Sequence, residues 1–228
     1  MLLLRIEALK KAFLRPDGTQ QNVIDVPEFS LRNNEQVALS GESGCGKTTF
    51  LHLIAGILKA DSGSISLQSS DMVALSEAKR DRLRATMLGY VFQTFNLLQG
   101  YTCLENVLLG MSFGPGPNRN RARALLERVS LGNRLDYYPR QLSTGQQQRV
   151  AVARALANRP KLMLADEPSG NLDPRNARES LKLIRETCRE NAAALLLVSH
   201  DRSVLDQFDK VRDFHRLNQV AMAPKETA

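Results

Sequence analysis

The octet Gly41-Glu42-Ser43-Gly44-Cys45-Gly46-Lys47-Thr48 constrains this chain more than any other stretch, because of what stands on either side of it. Before it, residues 36–40 form a short apolar run of strand type. After it, Phe50, Leu51, Leu53, Ile54, Ile57 and Leu58 recur at helical spacing, which predicts a helix over 47–58. Strand, glycine loop and helix in that order are the setting in which the pattern G-x-x-x-x-G-K-[ST] cradles phosphate. The glycines let backbone N–H groups close around phosphate oxygens, and the helix start turns its positive end toward them. Lys47 supplies a point charge, the Thr48 hydroxyl is suited to Mg²⁺, and Thr49 carries the loop into the helix. A glycine turn that merely links strand to helix would not call for Lys-Thr in this register.

The same alternation extends along the chain. Further strands are expected at 2–8, 23–31, 64–67, 88–92, 161–165 and 193–199, and helices at 76–86, 105–111, 119–129, 146–157 and 174–189. Strand runs dominate up to residue 93, helical runs fill 94–158, and βαβ order returns from 159, so an α/β fold with an inserted helical segment is implied. With 228 residues, no repeat and no long linker, one domain is the expectation, ending in a variable tail at 219–228.

Composition removes several function classes. The longest apolar run, Ala192 to Val198, falls far short of the roughly 18 residues needed to cross a bilayer. The start has neither the apolar core nor the small-residue cleavage site of a signal peptide, so a cytoplasmic chain is expected. Cys45, Cys103 and Cys188 lie far apart with no metal-ligand spacing and are expected as free thiols. The net charge of +7 suits nucleic acid, an anionic membrane face or an acidic partner alike. The basic clusters around Arg82 and Arg121 are expected as solvated helix faces.

Two other constellations carry chemistry. Leu162-Met163-Leu164-Ala165 is an apolar strand that ends in Asp166-Glu167-Pro168, so two carboxylates emerge at the carboxyl end of a buried strand, the edge where α/β sheets bind ligands. Asp166 suits an Mg²⁺ shell, and Glu167 suits a base that polarises an attacking water. Ser143-Thr144-Gly145-Gln146 opens the helix at 146–157, with Ser143 as N-cap and Gly145 permitting close backbone approach, a second helix start able to receive an anion.

With these residues in view, the chain resembles the ABC ATPase family. Leu142-Ser143-Thr144-Gly145-Gln146-Gln147-Gln148-Arg149 is similar to the family's signature sequence and stands before the Asp166-Glu167 strand. Gln93 resembles the Q-loop glutamine, Ser169-Gly170-Asn171-Leu172-Asp173 the D-loop and His200 the switch histidine, while Phe13 takes the place of the aromatic residue that stacks on adenine. Leu75-Ser76, Gly89-Tyr90-Val91-Phe92-Gln93, Phe95-Asn96-Leu97-Leu98 and Leu104-Glu105-Asn106-Val107 look most like the lipoprotein-release and macrolide-export branch. Two departures stand out: Thr144 where the family usually has glycine, and Asn33-Asn34-Glu35 where a Gly-Glu turn is common.

The resemblance implies a RecA-like P-loop core (1–93 and 159–218), an antiparallel β subdomain near the start and a helical subdomain at 94–158. It implies ATP and Mg²⁺ as cofactors, with Thr48, Gln93 and Asp166 at the metal and Phe13, residues 41–49, Ser143, Gly145 and Gln146 around the nucleotide. Glu167, His200, Gln93 and Lys47 are the expected catalytic groups. It further implies a homodimer bound to a separate integral membrane permease on the cytoplasmic face of a membrane, driving export or lipoprotein extrusion, with no nucleic-acid contact. Two alternatives remain at this stage: a permease-like complex that regulates cell-wall or cell-division enzymes, and a soluble ATPase acting on DNA or ribosomes. The latter usually carries coiled coils, zinc cysteine pairs or tandem ATPase domains, none of which is visible in the sequence.

Overall fold

A computed structural model describes residues 1–222. The chain opens with two long antiparallel strands, β1 (Leu2–Leu14) and β2 (Gln20–Arg32), followed by β3 (Gln36–Ser40), α1 (Lys47–Ile54), β4 (Ser62–Leu67) and the short β5 (Ser70–Asp71). Next come α2 (Glu77–Met87), β6 (Leu88–Val91), then α3 (Cys103–Ser112), α4 (Arg119–Arg128) and α5 (Thr144–Ala155). The last part holds β7 (Leu162–Asp166), α6 (Pro174–Glu190), β8 (Ala194–Ser199), the one-turn α7 (Arg202–Leu205), β9 (Val211–Asp213) and α8 (Phe214–Leu217). The tail begins with a 3₁₀ turn, Gln219–Met222, and the remainder of 219–228 lies outside the described residues.

Two sheets result. One is antiparallel, in the order β2-β1-β4-β5; the other is parallel, in the order β6-β7-β8-β3-β9. Strands β7 and β8 are buried along their whole length, and their unbroken apolar runs are what a parallel sheet covered on both faces requires. Side chains of β1, β2 and α1 fill the space between the two sheets, where Phe50 meets Phe29 edge-on at 5.6 Å and Phe214 at 5.3 Å. A second core joins α3, α4 and α5 to the other face of the parallel sheet through Val107, Leu126, Val150 and Leu197.

The observed elements differ from the sequence expectation in places with a local cause. Helix α1 stops at Ile54 rather than running to 58, because Gly56 takes a φ of 64° and reverses the chain, with Ile57 N–H bonding back to the His52 carbonyl. Strand β1 does not end at Ala8: it is broken there by a φ of 48° and then continues to Leu14. Gly63 on β4 faces that irregularity, and a Cβ there would lie 2.4 Å from the Ala8 carbonyl oxygen. At the Asn33-Asn34-Glu35 turn, Asn34 adopts a φ of 60°, the left-handed conformation that asparagine tolerates in place of glycine.

Candidate functional site

The phosphate loop leaves β3 at Gly41 and enters α1 at Lys47, with Gly44 and Gly46 at φ values of 80° and 101°. These are conformations that glycine adopts without the Cβ clash other residues would meet. The first-turn N–H groups of α1 have no side-chain cap and remain directed at the loop, as an anion site at a helix start needs. Beside the loop is a cavity of about 220 Å³ lined by Ser43, Gly44, Gly46, Lys47, Thr48, Thr49, Val23, Gln93, Glu167 and His200. The parallel sheet thus brings together residues from four stretches of sequence, at the carboxyl ends of β3, β6, β7 and β8.

Lys47 is buried, its ammonium donating to the carbonyls of Gly41 at 2.7 Å and Glu42 at 2.8 Å. It also lies 3.7 Å from Glu167 Oε1. Glu167 is itself 8% exposed and adopts a φ of 42°, a conformation rare for a residue with a long side chain. Its carboxylate collects several donors: Ser199 Oγ at 3.1 Å and the His200 N–H at 3.4 Å on Oε2, and His200 Nδ1 at 2.8 Å on Oε1. The His200 contact is a hydrogen bond in the tautomer that carries the proton on Nδ1, since a carboxylate oxygen accepts.

Asp166, one residue earlier, accepts from Thr48 Oγ1 at 3.1 Å. Burial pushes its carboxyl above the ordinary value, while the Thr48 hydrogen bond and the nearby His52 ring oppose that shift. Cys45 is half-buried; burial raises its thiol, with Lys47 acting in the opposite sense.

The loop after β6 closes the site from the helical side. Gln93 lines the cavity, and its carbonyl accepts from Asn171 Nδ2 at 2.8 Å, which joins the Gln93 loop to the loop after Glu167. Phe95 and Asn96 follow with φ values of 62° and 48°, and Arg154 of α5 donates to their carbonyls at 2.7 and 2.5 Å. Two successive left-handed residues of this kind persist only where their surroundings hold them.

Two groups of expected nucleotide contacts stand apart from this cavity. Ser143 caps α5, accepting from the Gln146 N–H at 3.3 Å while Gln146 Oε1 accepts from the Ser143 N–H at 3.1 Å. That helix start, including Gly145, does not line the cavity. Phe13 lies near the tip of the β1–β2 hairpin, 40% exposed, directly across from Gln21. The Lys11 ammonium stands 5.4 Å from its ring centre. The sequence reading gave no role to Ser199, which braces Glu167, or to Asn218, which reaches the loop from the C-terminal segment. Neither carries a signal beyond being polar at a strand end and near the chain end.

A glycine loop and a carboxylate pair set at the carboxyl edge of a parallel sheet, with a helical segment inserted between them in sequence, define a nucleotide-hydrolysing P-loop protein. A family model described as ABC transporter matches residues 24–170, and the chain belongs to that family as an ATP-binding ATPase. It is 42% identical over 212 residues, 92% of each chain, to the lipoprotein-releasing system ATP-binding protein LolD of Hydrogenovibrio crunogenus. It is 44% identical over 206 residues, 89% of each chain, to LolD 2 of Rhodospirillum rubrum. Among solved structures it matches the dimer of the bacterial ABC transporter cassette MJ0796 with a TM-score of 0.84 and 30% identity, covering 92% of this chain and 94% of that one. The post-hydrolysis dimer of the same cassette, bound to ADP and Pi, gives a TM-score of 0.85 at 29% identity, with 96% and 95% covered. Among the described residues no helix is long and apolar enough to cross a membrane.

Proposed function

We propose that this chain is the ATP-hydrolysing subunit of a lipoprotein-releasing transport system, working as a homodimer on the cytoplasmic face of a membrane beneath a separate permease. The observation that carries the reading is the likeness to lipoprotein-releasing ATP-binding proteins along nearly the whole of both chains. The match to dimeric cassettes supports the homodimer. So does the incompleteness of the cavity, which holds the phosphate loop and carboxylates but not the Ser143 helix start. In a head-to-tail pair each ATP lies between one protomer's phosphate loop and its partner's Ser143, with Phe13 against the adenine.

In that arrangement Lys47 exchanges its contacts with the Gly41 and Glu42 carbonyls for phosphate oxygens, and the loop N–H groups stabilise charge that develops on the γ-phosphoryl. Glu167 orients and polarises the attacking water, held in place by Ser199 and His200. Gln93 and His200, both on the cavity wall, sense the γ-phosphate.

The oxygen donors near the loop fit Mg²⁺. The Thr48 hydroxyl and Asp166 carboxylate already touch, and Gln93 adds an amide oxygen at the wall. An ion of this kind needs only one or two protein carboxylates when phosphates complete its shell. When bound it would supply positive charge that neutralises the phosphate oxygens.

A groove of about 520 Å³ between α2, β6 and the helical insertion supports the permease contact. Its rim exposes Ile57 and Phe113, at 45% and 71%, beside Arg84 and Arg154, and apolar surface of this kind is a feature of partner sites.

The test is to isolate the detergent-solubilised complex, identify the membrane chain that accompanies this one, and reconstitute both in vesicles carrying a lipid-anchored protein. ATP-dependent release of that protein, lost in Glu167→Gln, is the expected result. ATP hydrolysis stimulated by the partner with no release would overturn the lipoprotein assignment. Failure of Phe113→Asp to weaken the association would overturn the groove.

A further inference from the structure

Asn218 lies within ten residues of the chain end, yet it is 2% exposed and its amide is almost fully used. Its Oδ1 accepts from the Asp25 N–H at 2.8 Å, and its Nδ2 donates to the Val23 carbonyl at 2.8 Å and to the Cys45 carbonyl at 3.3 Å. One side chain thus links β2 to the phosphate loop. The residue is itself held in place: its N–H bonds the Phe214 carbonyl at 2.8 Å, and the Phe214 ring is fully buried against Phe50 of α1.

What this link does follows from peptide geometry. A peptide bond is planar and trans, so the Cys45 carbonyl and the Gly46 N–H point in opposite directions. A donor that holds the carbonyl from outside therefore turns the Gly46 N–H inward, toward the side of the loop where a concave set of amides binds an anion. The second tie, to Val23, fixes the wall against which this peptide rests. Val23 lines the phosphate cavity, and a Cβ on Gly46 would come within 3.0 Å of the Val23 carbonyl oxygen. Loop and strand are in close contact at the point where Asn218 joins them.

We propose that Asn218 is a positioning residue for nucleotide binding, setting the Cys45–Gly46 peptide plane from behind and tying phosphate affinity to the C-terminal segment. The proposal rests on residues 41–48 receiving the phosphates. The Gly46 N–H meets phosphate in the bound ground state as well as in the transition state, so the effect belongs chiefly in KM and nucleotide Kd, with kcat changed less.

The experiment compares Asn218→Asp, which is isosteric and keeps only the acceptor, with Asn218→Leu, which removes all three bonds. Measured are the ATP Kd, the KM and kcat for hydrolysis, the Tm, and the rate at which a thiol reagent labels Cys45, for which buried Cys103 and Cys188 are slow internal references. The three bonds are present with and without nucleotide, so only the part of their loss that misdirects the Gly46 N–H reaches binding, and Kd and KM should rise about two- to tenfold, the equivalent of about one hydrogen bond. Labelling of Cys45 should quicken while the protein stays folded, and Asn218→Asp should show both effects even if Asn218→Leu fails to fold. A fall in Tm with Kd, KM and labelling unchanged would make Asn218 a packing residue and overturn the proposal, as would a loss confined to kcat. Lys47→Ala separates this from failure of the parent reading: if it binds ATP normally, the phosphate assignment is wrong, whereas if it loses ATP and the Asn218 variants do not, only the Asn218 role falls.

Discussion

Glu167 and Asp166 are adjacent, but their surroundings give them different tasks. Glu167 is surrounded by donors that leave its carboxylate ready to accept from a water, so Glu167→Gln should keep ATP affinity while lowering kcat by about 10²–10⁴-fold, the usual range for a lost general base. Turnover near normal would remove it from the reaction. Asp166 instead bears a burial cost that Thr48 and His52 offset only in part. Burial raises its carboxyl above the ordinary 3.8, so the folded state holds that proton more tightly than the unfolded chain does. The penalty is absent below 3.8 and grows as pH rises through the folded value, which makes the ionised form destabilising at neutral pH. Asp166→Asn should therefore raise the Tm of the nucleotide-free protein at pH 7, with little gain near pH 3, while Mg²⁺-dependent hydrolysis is lost. An unchanged or lower Tm at pH 7 would show that Thr48 and His52 already offset burial. Lys47, Thr48 and this carboxylate pair were legible in the sequence because their chemistry is written in consecutive residues. Asn218 was not, since its partners lie 173 to 195 residues away and nothing local marks it.

At the scale of elements, the sequence reading succeeded where period and punctuation agreed and failed where the backbone departs from its region. Strand β3, helix α4 and the cap of α5 at Ser143 follow from apolar spacing and a cap residue. The continuation of β1 past Ala8 does not, because a strand broken by one left-handed residue looks finished when the sequence is read alone. That continuation matters for the site, since it carries Phe13. Pairing with β2 slips between Lys11 and Ala12, and such a slip re-aims the side chains beyond it. Asp61 holds the slipped segment, accepting from the Ala12 N–H at 2.7 Å and from Lys11 Nζ at 2.6 Å. Phe13, part-exposed on this braced hairpin, has little packing to lose. Phe13→Ala should weaken ATP and GTP binding by about 0.5–1.5 kcal/mol, the range for aromatic stacking, with Tm nearly unchanged. Unchanged affinity with a collapse in Tm would place Phe13 in the core instead.

At the scale of the whole molecule, the proposed dimer would build each site from one chain's phosphate loop and its partner's Ser143 helix start, which share no cavity within one chain, and the departure at Thr144 falls in that helix start. Thr144 is the first residue of α5, exposed and without the positive φ that would demand glycine, so nothing in the backbone is strained by its β-branch. Thr144→Gly should change ATPase activity little, whereas Ser143→Arg should abolish it by placing bulk where the partner's γ-phosphate belongs. Sharing of the site is tested by mixing. A dimer of one Ser143→Arg chain and one Lys47→Ala chain holds one site with both lesions and one with neither. In an equal mixture half the dimers are of this kind, so independent sites should restore roughly a quarter of the unmutated rate from two inactive parents. No recovery leaves two explanations, sites that must fire together or sites that are not shared. A crosslink between Ser143→Cys and Ser43→Cys in a Cys45→Ser background decides between them: formed only with ATP, it shows a shared site with obligatory joint firing, and its absence with ATP sinks the shared site.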